Sequence, residues 1–494
     1  MIKKQSFIYG AAVLAAASLL CKIMSAAMKI PLDRFFLHEE GIAVYQSAYS
    51  IYNVFLAICV TGIPIALSSL VASSEREEGE VLAKSTGVLV TLFCLVGAVL
   101  LFAFSRPIAK ILSGGGKPEA QLSLQILAPA LLVMGVISSR RGYFQGKCTM
   151  TPSAYSQLAE SFIKVVFGIT LCAFFVRKGI AHGAFGAMCG VSLGAVISAA
   201  ILELYYRKNV KIKVKADLRA AMKVIKLSLP MTLGAFGFTG VMLIDSLTTS
   251  KILSLYGVGE LERLKMFGYL TRANTIYNLP ATIITAIAAS AVPAVSAAFA
   301  KMDKDSLSEN TLRGVKLIFI VAFPCALGMM LFSKEILNLL YLGSPHYMLL
   351  VLTGVMILLL PYIQVATAML QALGRVWTPI WVTVGALCLK VILNFVFIKA
   401  FGIEGAPLAT IIAFVPAFII NTVLLYKSVS MRGSAVHLKI ALCAIISCTA
   451  ARLLYELHET TLMLLVSIAF AGAVYAAGIF LSGCIKKEEL KRGA

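Results

Sequence analysis

The chain has 494 residues, of which 60% are hydrophobic and 14% are charged, and its net charge is +21. A soluble protein of ordinary composition carries about 25% charged residues, so a water-soluble architecture is excluded. The basic residues lie mainly in short loops between apolar runs, as topogenic charges do, which argues against a nucleic-acid-binding surface.

Apolar runs of about 18 residues or more recur along the whole length and predict an all-α polytopic membrane protein. With the N-terminus in the cytoplasm, Lys and Arg are more numerous in the inner loops than in the outer loops, so we expect both termini to be cytoplasmic. The fourteen predicted transmembrane helices lie at 6–30, 43–71, 85–105, 121–139, 153–176, 180–205, 227–249, 267–299, 314–333, 348–371, 377–400, 406–426, 438–456 and 461–484.

Two similar blocks, at 140–164 and 371–390, indicate an internal duplication. In each block a glycine is followed five or six residues later by a proline, and a lysine lies eleven or twelve residues further on, inside the next span. Because each half holds six spans, both halves enter the membrane from the same side, as parallel repeats that rock about a substrate path do. The predicted domains are an N-lobe at 1–210, a C-lobe at 211–430, and a last part at 431–494 with two spans and a cytoplasmic tail.

Three cations and one carboxylate lie in or at the ends of predicted spans. Lys22 and Lys29 are seven residues apart and therefore share one face of span one, while Arg272 lies in span eight and Asp245 in span seven. A charge at mid-bilayer costs about 2.5–3.5 kcal/mol, so the set predicts a hydrated, net-cationic cavity that binds the substrate. Two alternatives stay open: Lys29 and Arg272 snorkel to the interface, or Asp245 pairs with Arg272. A coupling-cation site at Asp245 is a further alternative.

A second set of charges lies at matching places in the two halves. Glu160 and Lys164 are spaced i, i+4 on span five, so an ion pair between them is predicted beside a transport role. Lys390 occupies the corresponding place on span eleven and has no carboxylate at that spacing. We interpret these residues as candidates for coupling or for ion pairing.

Two prolines, Pro64 and Pro293, lie inside long predicted spans. Proline removes a backbone donor and bends a helix, and neighbouring helices compensate for this within a membrane. The sequence leaves open whether each is a fixed packing kink or a gating bend. The eleven cysteines show no paired spacing and the five histidines are scattered, so we predict no metal site and no enzymatic constellation.

Several short segments resemble a known family. They are RGYFQG at 141–146, MTPSA at 150–154, GIP at 62–64 and NLP at 278–280. These segments resemble the polysaccharide-biosynthesis branch of the multidrug/oligosaccharidyl-lipid/polysaccharide exporter (MOP) superfamily, which is MATE-like. Within it they resemble the stage V sporulation protein B group, which includes MurJ-like lipid II flippases.

The resemblance implies two six-helix lobes with two appended C-terminal helices in the bacterial cytoplasmic membrane. It also implies a flippase, not an enzyme, that moves an undecaprenyl-diphosphate-linked precursor by alternating access in peptidoglycan or spore-cortex synthesis. Relatives carry cavity-facing cations on helices one, two and eight; Lys22, Lys29 and Arg272 match on helices one and eight, whereas span two has no basic residue. No cofactor is expected. Coupling to Na+, H+ or the membrane potential stays open, and the expected partners are membrane lipids and cell-wall synthesis proteins around a monomer.

Three other functions make different predictions. A cation-coupled multidrug exporter of the same superfamily predicts a carboxylate-dominated cavity and usually twelve spans. A membrane-embedded glycan polymerase or transferase needs catalytic carboxylates or a nucleotide-sugar domain, and the sequence has neither pattern. A non-transporting scaffold in cell-wall or spore assembly is distinguished from a flippase only by measuring translocation.

Overall fold

The computed structural model describes residues 7–209, 214–289, 291–429 and 436–484. Within these ranges the chain is helical and contains no strand, which confirms the all-α class. The helices are α1 Phe7–Pro31, α2 His38–Leu56, α3 Ile63–Ser73, α4 Arg76–Ala103, α5 Ser105–Leu112, α6 Gln121–Gly146, α7 Thr151–Phe175, α8 Ile180–Asn209, α9 Leu218–Leu255, α10 Glu260–Ala289, α11 Ala291–Ala300, α12 Lys304–Leu331, α13 Ser333–Tyr341, α14 Met348–Ala372, α15 Trp377–Phe401, α16 Gly405–Val429, α17 Val436–Glu456 and α18 Thr461–Leu481.

Each of the fourteen predicted spans lies on one of these helices or on a consecutive pair. By length and composition, ten helical segments of the described chain can cross a membrane, or eleven if the bent pair Leu218–Gly234 and Phe236–Leu255 counts as one span. Two of the ten, Val13–Ser73 and Trp377–Val429, each hold two predicted spans. The polytopic membrane fold is therefore confirmed, while the number fourteen stays a prediction.

Polar side chains begin three of the helices after connecting segments. Asp217 accepts hydrogen bonds from the backbone N–H groups of the first turn of α9, and Asp303 and Thr460 begin α12 and α18 in the same way. Such caps satisfy backbone donors that the first turn leaves without an intrahelical acceptor. The hydrogen bond from Ser306 also lowers the pKa of Asp303, so this cap is charged at neutral pH.

Contacts divide the chain into two units, and the first comprises residues 1–271 and 394–403. In this unit α7 packs along α8, α1 lies against α7, and α9 contacts α2, α3 and α4. The α7–α8 pair is close because Gly190 has no side chain: a Cβ there would lie 2.8 Å from the carbonyl oxygen of Lys164. Small residues allow this approach between membrane helices. The packing fixes the turn of α7 that carries Lys164.

The second unit comprises residues 272–393 and 404–494. Here α12 packs on α14 and α17, α14 packs on α16, and α17 pairs with α18. Several polar contacts join the last helices to the others; for example, Arg452 pairs with Glu335 at 2.7 Å, and the Tyr475 hydroxyl donates to the Ile320 carbonyl at 2.7 Å. The last two helices are therefore docked on this unit, while the lobe boundaries at 210 and 430 stay a prediction.

Candidate functional site

A lysine near the end of α1 begins the candidate site in the first unit. After α1 the chain forms the π-helical segment Leu32–Leu37 and enters α2, so the end of α1 and the second and third turns of α2 carry neighbouring side chains. The Lys29 Nζ donates to Gln46 Oε1 at 2.8 Å. It also lies over the rings of Tyr45 and Tyr49, at 5.9 and 5.5 Å from their centroids. These cation–π contacts hold a half-buried ammonium group without neutralising it.

A second lysine reaches the same tyrosine from α7. The Lys164 Nζ donates to the Tyr49 hydroxyl at 3.0 Å and to Ser25 Oγ at 3.4 Å, and it lies 4.7 Å from the Tyr49 ring centroid. Lys164 is only 7% exposed. Within the described ranges neither Lys164 nor Lys29 forms an ion pair with a carboxylate. Two basic side chains from different helices thus converge on Tyr49 among neutral partners.

The ion pair between Glu160 and Lys164 that the spacing predicted does not form. The Glu160 carboxylate, on α7, accepts a hydrogen bond of 2.8 Å from the guanidinium group of Arg141, which lies on α6. Arg141 is buried and also donates to Ser156 and Ser198, at 3.3 and 3.0 Å. A guanidinium that already has two serine partners fixes the carboxylate better than a flexible lysine on the same helix. Glu160 is therefore a structural partner of Arg141 in this conformation.

Two other predicted cations lie apart from this pair. The Lys22 side chain is exposed on α1, and the described part of the chain offers it no hydrogen bond or ion pair. Arg272 belongs to the second unit and is buried, with its guanidinium 5.2 Å from the Tyr341 ring centroid and 3.5 Å from the Gly343 carbonyl oxygen. The Lys22 side chain thus has no fixed partner among the described residues, whereas Arg272 is held in place by its neighbours.

The carboxylate of Asp245 is buried on α9 and lies in a polar network of the first unit. Asn394 donates to Asp245 Oδ1 at 3.2 Å and to Thr248 Oγ1 at 2.9 Å. The next residue of α9, Ser246, donates to Ser50 of α2 at 2.8 Å. Asp245 is therefore held by an amide hydrogen bond, which the sequence did not indicate.

The repeat counterpart of Lys164 has a different environment. Lys390 belongs to the second unit, is fully buried, and donates to Thr410 Oγ1 at 2.7 Å and to the Ala406 carbonyl at 3.3 Å. Both of these partners lie at the beginning of α16. The hydrogen bonds join α15 to α16 close to the short connection between them.

The two prolines lie at the beginnings of short helices. Pro64 is the second residue of α3 and follows the π-helical segment Ala57–Gly62, a form of backbone that commonly accompanies a bend. Pro293 is the third residue of α11, a helix that begins directly after residue 290. Residue 290 lies outside the described residues. The gating role of both prolines stays a prediction.

The sequence reasoning missed the residues that surround the two lysines. Tyr45 and Tyr49 are spaced i, i+4 on α2, and Gln46 lies between them, so the signal was a polar and aromatic face on a span without basic residues. The described residues contain no group of three or more His, Cys, Asp and Glu side chains able to hold a metal ion. The convergence of the Lys29 and Lys164 ammonium groups on Tyr49 is a geometry that suits recognition of an anion.

Two curated proteins of Bacillus subtilis (strain 168) are similar to the chain over most of its length. Stage V sporulation protein B is 25% identical over 514 residues, which cover 99% of this chain and 98% of that protein. Lipid II flippase MurJ is 23% identical over 459 residues, covering 85% of this chain and 82% of that protein. The similarity therefore extends over the whole architecture.

Solved structures and a family model agree with these relatives. The inward closed conformation of lipid II flippase MurJ matches 96% of this chain with a TM-score of 0.72 at 17% identity, and covers 100% of that chain. An inward-facing multidrug resistance MATE family transporter of the MOP superfamily matches 84% of this chain, and 96% of that one, with a TM-score of 0.65 at 17% identity. The family model described as lipid II flippase MurJ matches residues 34–474. The chain therefore belongs to the MurJ lipid II flippase family, as the resemblance of its short segments implied.

Proposed function

We propose that this protein is a flippase that carries an undecaprenyl-diphosphate-linked cell-wall precursor, lipid II in the first place, across the cytoplasmic membrane. It would act by alternating access in peptidoglycan or spore-cortex synthesis. Membership of the MurJ family supports a flippase of a lipid-linked precursor. The similarity to stage V sporulation protein B supports a role in spore-cortex synthesis beside one in peptidoglycan synthesis. The observation that carries the proposal is the convergence of Lys29 and Lys164 on Tyr49 without a carboxylate partner in the described chain.

The chemistry of the substrate explains why such a site is needed. A lipid-linked precursor carries an anionic diphosphate between a polar glycan and a polyprenyl tail, and only the tail is soluble in the bilayer core. Lysine and arginine give charge-assisted hydrogen bonds to phosphate oxygens. Lys29 is half-buried, so it can exchange its bond to Gln46 for a phosphate oxygen, and the exposed Lys22 lies two turns earlier on α1. We assign Lys22, Lys29 and Arg272 to binding of the diphosphate.

The carboxylates favour this substrate over a cationic drug. Of the acidic candidates, Glu160 is paired with Arg141, and Asp245 accepts a hydrogen bond from Asn394. A site for organic cations would instead present carboxylates to the substrate. An anionic ligand therefore suits the charge balance of the first unit better, even though the fold is also similar to that of MATE transporters.

Orientation, oligomeric state and coupling form part of the proposal. The loop charges support a cytoplasmic location for both termini. We expect the monomer to transport and no cofactor to be bound. To distinguish coupling to Na+, to H+ and to the membrane potential, each gradient is imposed alone on proteoliposomes and the rate of transport is measured.

Reconstitution with defined lipids tests the function. Purified protein in liposomes is given lipid II, a second undecaprenyl-diphosphate-linked glycan, and an undecaprenyl-monophosphate-linked sugar, and exposure of each on the opposite leaflet is measured. We expect the diphosphate lipids to move faster than in protein-free liposomes. Failure of the unmodified protein to move any diphosphate-linked lipid would refute the proposal and favour a scaffold, whereas movement of cationic dyes instead would favour a drug exporter.

A further inference from the structure

One hydroxyl group beside the two lysines has no hydrogen-bond partner in the described protein. Tyr45 is 0% exposed, and its hydroxyl oxygen is buried and unpaired. Its ring stacks on that of Tyr49, with centroids 5.6 Å apart, and lies under the ammonium of Lys29. Buried hydroxyl groups are almost always hydrogen-bonded, and leaving one unpaired costs the desolvation of the group. Other buried hydroxyls of the described protein, such as those of Thr86 and Ser123, are also unpaired. The feature that singles out Tyr45 is its position under the ammonium group of Lys29.

The lysines around this hydroxyl show a matching deficit of negative charge. Lys164 is nearly buried, and among the described residues its hydrogen-bond partners are Tyr49 and Ser25; it is also close enough to Tyr45 for an electrostatic interaction. Neutral hydroxyls do not compensate a desolvated ammonium group as an anion does. Glu160, one turn away on α7, acts on Lys164 electrostatically, but its carboxylate is bonded to Arg141 and forms no ion pair with Lys164.

We infer that Lys164, Lys29 and the Tyr45 hydroxyl form one oxyanion site in the first unit that binds the diphosphate group of the substrate. The identity of the ligand rests on the proposed function. In this site Lys164 is the buried, fixed charge, since the packing of α7 on α8 holds it in place. Lys29 is the accessible charge, which exchanges Gln46 for the ligand, and Tyr45 donates its otherwise unpaired O–H. Lys164 and Tyr45 thereby join the proposed substrate-binding residues. Neither belongs to the set of basic residues on α1, α2 and α10 that the family resemblance implies, because Lys164 lies on α7 and Tyr45 is not basic.

The unpaired hydroxyl allows a test that separates binding from structure. Replacing Tyr45 by phenylalanine removes a group that contributes no bond within the described protein, so Tyr45→Phe protein without ligand should unfold at the same temperature as the unmodified protein, or higher. If the hydroxyl binds the ligand, the same variant should bind undecaprenyl diphosphate about three- to tenfold more weakly. A purely structural tyrosine predicts no loss of affinity.

The experiment measures binding of undecaprenyl diphosphate to the purified full chain in detergent, with undecaprenyl monophosphate and inorganic pyrophosphate as further probes. Lys164→Gln should weaken diphosphate binding about tenfold or more and reduce the preference over monophosphate, because one charged hydrogen bond is lost. Lys164→Arg should retain much of the affinity for the diphosphate, because it keeps the positive charge. The matched control is Lys178→Gln, an exposed lysine beside Phe175 after the end of α7, which should bind as the unmodified protein does.

The outcomes separate the inference from the proposed function. Unchanged diphosphate affinity in both Tyr45→Phe and Lys164→Gln, with normal binding by the unmodified protein, overturns the inference and leaves the proposed function standing. No binding of the lipid diphosphate by the unmodified protein overturns both. Competition by inorganic pyrophosphate supports a site that reads the diphosphate alone, and binding of the lipid without such competition supports one that also needs the polyprenyl chain.

Discussion

Removal of the Lys29 ammonium group is the sharpest test of a cationic substrate site. In the structure this group makes one hydrogen bond of 2.8 Å to Gln46 and lies over two tyrosine rings. A charged hydrogen bond to a phosphate oxygen is worth about 1.5–3 kcal/mol, which corresponds to roughly 10- to 100-fold in rate at subsaturating substrate. Lys29→Ala should therefore slow flipping of lipid II by about tenfold or more. Membrane insertion should be unaffected, because removing a charge from a span does not hinder it.

The assay compares flipping of lipid II by the unmodified protein and by Lys29→Ala protein at matched amounts in the membrane. Lys178→Ala is the control, since it removes the same charge from an exposed position at the end of α7. Lys22→Ala and Arg272→Ala extend the series; of these, Lys22→Ala should leave thermal stability unchanged because its side chain is exposed and has no described partner. Near-normal flipping by all three variants would refute the cationic-site reasoning.

Three further predictions concern stability and topology. Glu160→Gln should lower the free energy of unfolding by about 1–3 kcal/mol, because it leaves the buried Arg141 guanidinium with serine partners only; thermal unfolding in detergent checks this, and an unchanged midpoint would contradict it. Asn394→Ala should destabilise the protein by a similar amount, because it removes a donor to the Asp245 carboxylate; thermal unfolding in detergent measures the loss, and full stability of the variant would contradict it. A cysteine at Lys223, exposed in the first turns of α9, should resist an impermeant reagent added to intact cells, and ready labelling would overturn the cytoplasmic assignment.

The helices were predictable from the sequence because the bilayer imposes a single rule on long apolar runs. Every backbone N–H and C=O in the hydrocarbon core needs an internal partner, so each run of sufficient length becomes a helix. The π-helical segments Leu32–Leu37 and Ala57–Gly62 were not predicted, since they depend on local packing as much as on composition. Gly62 illustrates this: a Cβ added there would lie 2.8 Å from the carbonyl oxygen of Ser228 on α9, a contact that no local pattern reveals.

The side-chain partners were less predictable because spacing along one helix competes with neighbours from other helices. The i, i+4 rule placed Lys164 beside Glu160, but the tertiary fold brings Arg141 to Glu160 and Tyr49 to Lys164. An i, i+4 pair is worth only about 0.2–0.5 kcal/mol, so a single tertiary hydrogen bond to a charged group outweighs it. The cations themselves could be selected from the sequence, whereas their partners needed the fold.

The two repeat-related lysines have different hydrogen-bond partners in the structure. Lys164 and Lys390 occupy matching places in the sequence repeat, and both are buried. Lys390 donates to a backbone carbonyl and to a threonine hydroxyl of the following helix, and these two bonds join α15 to α16. Lys164 instead bonds to residues of α1 and α2, which are distant in sequence and carry Lys29 and the unpaired Tyr45 hydroxyl. A buried lysine that meets a second cation and an unpaired hydroxyl donor is suited to an anion. These contacts of Lys164 therefore support the proposed oxyanion site.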